Sequence, residues 1–63
     1  MRSKHSIGDI LEDSGGLYII TDVIFNEKGD TSYQVLHIND MVVRLYIDWL
    51  MKYDEVMFKY EEI

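Results

Sequence analysis

The run Leu17-Tyr18-Ile19-Ile20-Thr21-Asp22-Val23-Ile24-Phe25 constrains this chain more than any other segment. It is crowded with β-branched and aromatic side chains and bounded by turn formers, which is the signature of a strand. Its odd positions, Leu17, Ile19, Thr21, Val23 and Phe25, form one nearly continuous apolar face. The even positions, Tyr18, Ile20, Asp22 and Ile24, are mixed, which predicts a central strand with neighbours on both sides. Upstream, Asp13-Ser14-Gly15-Gly16 supplies a tight turn, because glycine reaches positive φ without a Cβ clash. Downstream, Asn26-Glu27-Lys28-Gly29-Asp30 has the length and composition of a hairpin loop.

Strand-like segments flank this centre. Ile7–Glu12 reads as a first, partly irregular strand, and Thr31–Ile38 as a returning one. Asn39-Asp40 then offers a two-residue turn into Met41–Asp48. That last segment places Met41, Val43, Leu45 and Ile47 on one side and Val42, Arg44, Tyr46 and Asp48 on the other. Short loops between successive strands predict an antiparallel meander.

The final third supports two readings. Tyr46, Trp49, Leu50, Tyr53, Met57 and Tyr60 recur at helical spacing, with Asp48–Lys52 and Glu55–Lys59 at i,i+4. A β-meander plus a C-terminal helix would fit. Val56, Phe58 and Tyr60 also alternate, which fits a short helical turn near Trp49–Tyr53 followed by a fifth strand. Closing the meander with that strand hides sheet edges, and this favours a small barrel of four to five strands.

The motifs Ile7-Gly8-Asp9-Ile10-Leu11-Glu12, Gly16-Leu17-Tyr18-Ile19-Ile20-Thr21-Asp22-Val23 and Ile47-Asp48-Trp49-Leu50-Met51-Lys52-Tyr53 together resemble the small SH3-like barrels encoded by tailed bacteriophages. The resemblance spans most of residues 7–60. It implies a mainly β, SH3-like antiparallel barrel over residues 7–63 and a viral origin, with no reaction attached, while residues 1–6, polar and without periodicity, read as a flexible tail. The long acidic first loop of peptide-binding SH3 domains is missing, so proline-rich ligands are not implied.

Charge narrows the function classes. Twelve acidic residues stand against six basic ones, a net charge of −6, and Arg2 and Lys4 lie in the expected tail. Such a surface repels phosphate backbones and attracts basic proteins, so nucleic acid is disfavoured as a direct partner. No apolar stretch reaches the roughly 18 residues a membrane helix needs, and no secretory core follows the basic start. The absence of cysteine excludes disulfides and suits a reducing compartment, which makes cytoplasm the expected location, the host's if the chain is viral.

Catalytic constellations are weak. His5 and His37, with Asp9 or Asp40, have no metal-ligand spacing, and Asp9, Glu12 and Asp13 lack the pattern of a calcium loop. The pairs Asp54-Glu55 and Glu61-Glu62 read as solvated. Ser3, Ser6, Ser14 and Ser32 occupy no nucleophile elbow, and Gly15-Gly16 is not followed by the lysine of a phosphate loop. The expectation is a protein that is not an enzyme and takes no cofactor.

Aromatic residues concentrate late in the chain and either fill the core or form a docking patch. Tyr46, Trp49, Tyr53 and Tyr60, with Asp54 and Glu55, are the candidate protein-binding residues, since Trp and Tyr bury much area at low entropy cost. The leading expectation is an acidic adaptor or inhibitor of a host protein whose own ligand is nucleic acid, which the carboxylates would imitate. Two alternatives are a self-assembling structural or virion accessory protein and an SH3-like nucleic-acid binder using Arg44, Lys52, Arg2 and Lys4.

Overall fold

The computed structural model describes residues 4–60. Arg2 of the proposed nucleic-acid contacts, Ser3, and the Glu61-Glu62 pair lie outside them. Five antiparallel strands form one sheet: β1 (Ile10–Asp13), β2 (Gly16–Phe25), β3 (Thr31–His37), β4 (Val42–Ile47) and β5 (Glu55–Phe58). Their spatial order is β4-β3-β2-β1-β5. A 3₁₀ turn, Asp48–Met51, joins β4 to β5. The C-terminal helix is thus corrected to a turn and a strand. Closure is corrected as well: β5 pairs with β1, not with β4, so the sheet is open, with β4 and β5 at its edges. Among the described residues no helix is long and apolar enough to cross a membrane.

The turns follow local chemistry. Asp13 pairs with Gly16 across Ser14-Gly15, and the Asp13 carboxylate accepts the Gly15 N–H at 2.7 Å. At the β2–β3 hairpin, the Asn26 side-chain oxygen accepts the N–H groups of Lys28 and Asp30, reinforcing a backbone turn in which the Gly29 N–H reaches the Asn26 carbonyl at 3.1 Å. The β3–β4 link is wider than the two residues expected. His37 pairs with Val42, and the Met41 N–H reaches the His37 carbonyl at 2.8 Å.

That link forces Met41 to φ 57°, a left-handed conformation that costs a side chain with a Cβ about 1–2 kcal/mol. The Met41 side chain is exposed, so removing it sacrifices little packing. Met41→Gly should therefore raise stability by about 0.5–1 kcal/mol, after the greater freedom glycine gives the unfolded chain. The check is a higher urea midpoint with an unchanged slope.

Leu11, Tyr18, Ile20, Tyr33, Val35 and Met51 form the buried core, with Val23 and Tyr46 packed against it. The face of β2 differs from the expected one: Tyr18 and Ile20 point inward, and Val23 joins them only after a register shift between Ile20 and Asp22. One extra residue at Thr21 changes the phase of the strand, as a β-bulge does. In β4 the more polar face is the one turned toward the core. Arg44 and Tyr46 lie opposite the buried Val35 and Tyr33, so Val43, Leu45 and Ile47 face solvent.

Apolar side chains are consequently not all used up inside. Sixteen large apolar or aromatic side chains are exposed among the described residues, against six in the core. A domain this short has too little interior for the 48% of hydrophobic residues it carries. His5, read as part of the tail, is buried edge-on against the Tyr33 ring, and its N–H reaches the Tyr33 hydroxyl.

Candidate docking site

The connection between β4 and β5 carries the most exposed aromatics. Ile47 is extended, and the chain then tightens into the 3₁₀ turn, closed by Lys52 N–H to Trp49 O and Asp54 N–H to Met51 O. With three residues per turn, a piece this short directs few side chains one way. Met51 takes the inward position. Trp49 and Leu50 are left 68% and 54% exposed, and Tyr53, just beyond, is 89% exposed. Lys52 Nζ lies 5.5 Å from the centre of the Tyr53 ring, within cation–π range.

Beside this apolar apron is a cleft of about 260 Å³, lined by Asp13, Ser14, Tyr46, Leu50 and Asp54. Pockets that enclose small molecules usually run from about 300 to 1,000 Å³. This one falls just below that range.

The floor of the cleft is braced by a polar network. The Tyr46 hydroxyl donates to Asp13 Oδ2 at 2.8 Å, and His37 Nε2 lies 3.1 Å from both that oxygen and the Tyr46 hydroxyl. The Tyr18 hydroxyl donates to Asp54 Oδ2 at 2.6 Å. The rings of Tyr18, His37 and Tyr46 pack at centroid separations of 5.2–5.6 Å. Burial, reinforced by Asp54, pushes the Tyr18 phenol well above its ordinary range. Burial and the Asp13 hydrogen bond push Tyr46 up to about 12. Burial also works against the Asp13 charge, but hydrogen bonds from Tyr46, His37 and the Gly15 N–H outweigh it and hold the carboxyl below its usual value. Two phenols, each donating to its own carboxylate, Tyr46 to Asp13 and Tyr18 to Asp54, make an acidic floor.

The six candidate residues separate. Trp49, Tyr53 and Asp54 share the β4–β5 connection. Tyr46 is half-buried, its hydroxyl committed to Asp13, so it supports the cleft from beneath. Glu55 is exposed on β5 opposite Glu12. Tyr60 sits elsewhere: its N–H is bound by Asp9, and its side chain packs on Gly8, with Cβ and Cγ 3.1 and 3.2 Å from where a Cβ on that glycine would sit. Leu50, Ser14 and Asp13 are cleft residues that sequence spacing did not single out, though the Asp-Ser-Gly-Gly turn signal marked where two of them lie.

The remaining candidates for metal chemistry are dispersed. Among the described residues no three His or acidic side chains converge as metal ligands. His5 packs on Tyr33, His37 on Asp13, and Asp40 pairs with Arg44 at 3.2 Å. Asp9 is fully buried and holds three donors at 2.9 Å: the N–H groups of Ser6 and Tyr60, and Lys59 Nζ. Comparison with known protein families, with curated proteins and with solved structures finds no match.

Proposed function

We propose that this chain is a non-catalytic, acidic protein-binding module of SH3-like architecture that docks on a basic protein. The observation that carries this reading is the exposure of Trp49, Leu50 and Tyr53 on one connection next to Asp54. Indole and phenol rings left in water on the same connection that gives Leu50 and Asp54 to a small acidic cleft are suited to a partner that offers apolar contact and positive charge. The strand order and the 3₁₀ turn before the last strand support the SH3-like reading. The charge of −6 supports a partner whose ordinary ligand is nucleic acid, met through carboxylates in place of phosphates.

Capture from a cell lysate on the immobilised chain, compared with a Trp49→Ala/Tyr53→Ala variant, tests this. The expected result is a basic protein retained by the wild type, released by salt or by competing DNA, and bound at least about tenfold more weakly by the variant. Equal retention by the variant, or binding indifferent to ionic strength, overturns the proposal.

A further inference from the structure

We propose that the free edge of β4 is a self-pairing surface, on which a second copy of this chain adds its own β4 antiparallel. This inference stands apart from the docking site, because it rests on the backbone edge and the outward side chains of β4 and not on Trp49 or Tyr53. β4 has β3 on one side only, and among the described residues no strand pairs with its other side. Its six residues pair with β3 in unbroken register. Edge strands that avoid pairing are usually short, bulged or guarded by lysine or proline. The other edge, β5, is such a strand: it has four residues and a register irregularity against β1. β4 has neither the shortness nor the irregularity of β5, and its one charge, Arg44, is already paired with Asp40 at 3.2 Å.

The sequence of β4 is complementary to itself. With a two-fold axis through Leu45, each Leu45 faces the Leu45 of the second copy, and Val43 faces its Ile47. All three side chains already point to solvent, Leu45 being 66% exposed. The joined outer face would be a continuous apolar row without a charge in it. On the other face, Arg44 lies opposite Tyr46 of the second copy and diagonal to its Asp48, so a guanidinium meets a ring and a carboxylate twice over. Arg44 is the one charged residue in Val42–Ile47. The acidic excess that would drive two copies apart is placed outside the strand itself. Sliding the pairing by one residue would set inward side chains against outward ones, so the register is determined.

Sedimentation velocity from micromolar to millimolar concentration should show a monomer converting to a dimer. Screening the repulsion between two net-negative copies should favour that dimer at high salt, the opposite of the salt response expected for docking on a basic partner. Leu45→Lys places like charges face to face and should weaken association by about tenfold or more while leaving the fold intact by circular dichroism. Because the chain has no cysteine, Leu45→Cys provides a register test: mild oxidation should link two copies at that position. Val43→Cys, which the register sets opposite Ile47, should link far more slowly. A wild type that stays monomeric at millimolar concentration, a Leu45→Lys protein that dimerises like the wild type, or equal cross-linking at both positions overturns the proposal. None of these results depends on Trp49 or Tyr53, so failure here leaves the docking site standing.

Discussion

Replacing Asp9 with alanine should cost about 3–5 kcal/mol, most or all of the stability of the domain. A chain of this length is expected to have about 3–9 kcal/mol in total. The Asp9 side chain is fully buried and ties two distant segments to one another. Ser6 N–H and Tyr60 N–H bind its two oxygens, and Lys59 Nζ adds an ion pair. Alanine would strand two backbone donors and the ammonium at once. Lys59→Met should cost far less, about 1 kcal/mol, since the Lys59 side chain is half exposed and the backbone donors keep their acceptor. Acid should reproduce the Asp9 effect. Burial alone would raise the Asp9 pKa, but the Ser6, Lys59 and Tyr60 hydrogen bonds together lower it below the ordinary value. Its stabilisation is therefore fully present above about pH 4 and is lost as pH falls through the lowered folded value. Asp13 acts in the same direction. Urea titrations at stepped pH should show a steep acid limb in the wild type and a shallower one in Asp9→Asn.

That a single carboxylate carries so much was not readable from the chain. Gly8-Asp9 stands out only as the opening of a strand, and two of its three partners, Lys59 and Tyr60, are 50 and 51 residues away in sequence, where no local pattern records them. What was readable is what short-range chemistry decides. The run Leu17–Phe25, its flanking turns and the return over Thr31–His37 follow from side-chain shape and from glycine, asparagine and aspartate at the turns. Phase was less accessible. A one-residue bulge at Thr21 exchanges the two faces of β2, and periodicity carries no mark of it. β4 misleads for another reason. Its apolar side looks like a core face, yet pairing with β3 sets Arg44 and Tyr46 opposite the buried Val35 and Tyr33, where Tyr46 bonds Asp13 and one Arg44 nitrogen reaches Asp40. Among the proposed binding residues, sequence placed Trp49, Tyr53 and Asp54 on one connection because they are close along the chain. It could not separate them from Tyr60, whose position depends on Asp9.

The same limit applies to the aromatics, and a pair of substitutions makes it measurable. Composition alone treats Tyr18 and Trp49 as equal candidates for the core, with the indole the larger. The fold separates them: Tyr18 is fully buried, whereas Trp49 is mostly in water. Tyr18→Ala should cost about 3–5 kcal/mol, because it empties the middle of the core and strips the cleft floor of the ring that contacts His37 and Tyr46. Tyr18→Phe keeps the ring and removes only the bond to Asp54, so a loss of about 1–2 kcal/mol is expected, with water able to reach the half-exposed carboxylate. Trp49→Ala should change stability by less than about 1 kcal/mol. Chemical denaturation of the three variants under one buffer gives the comparison. A large loss for Trp49→Ala would mean that the indole packs on the protein itself, and the docking surface would then lose its central residue. A small loss together with weakened capture of a basic partner would mean that the largest apolar side chain in the chain is kept in water for something other than folding.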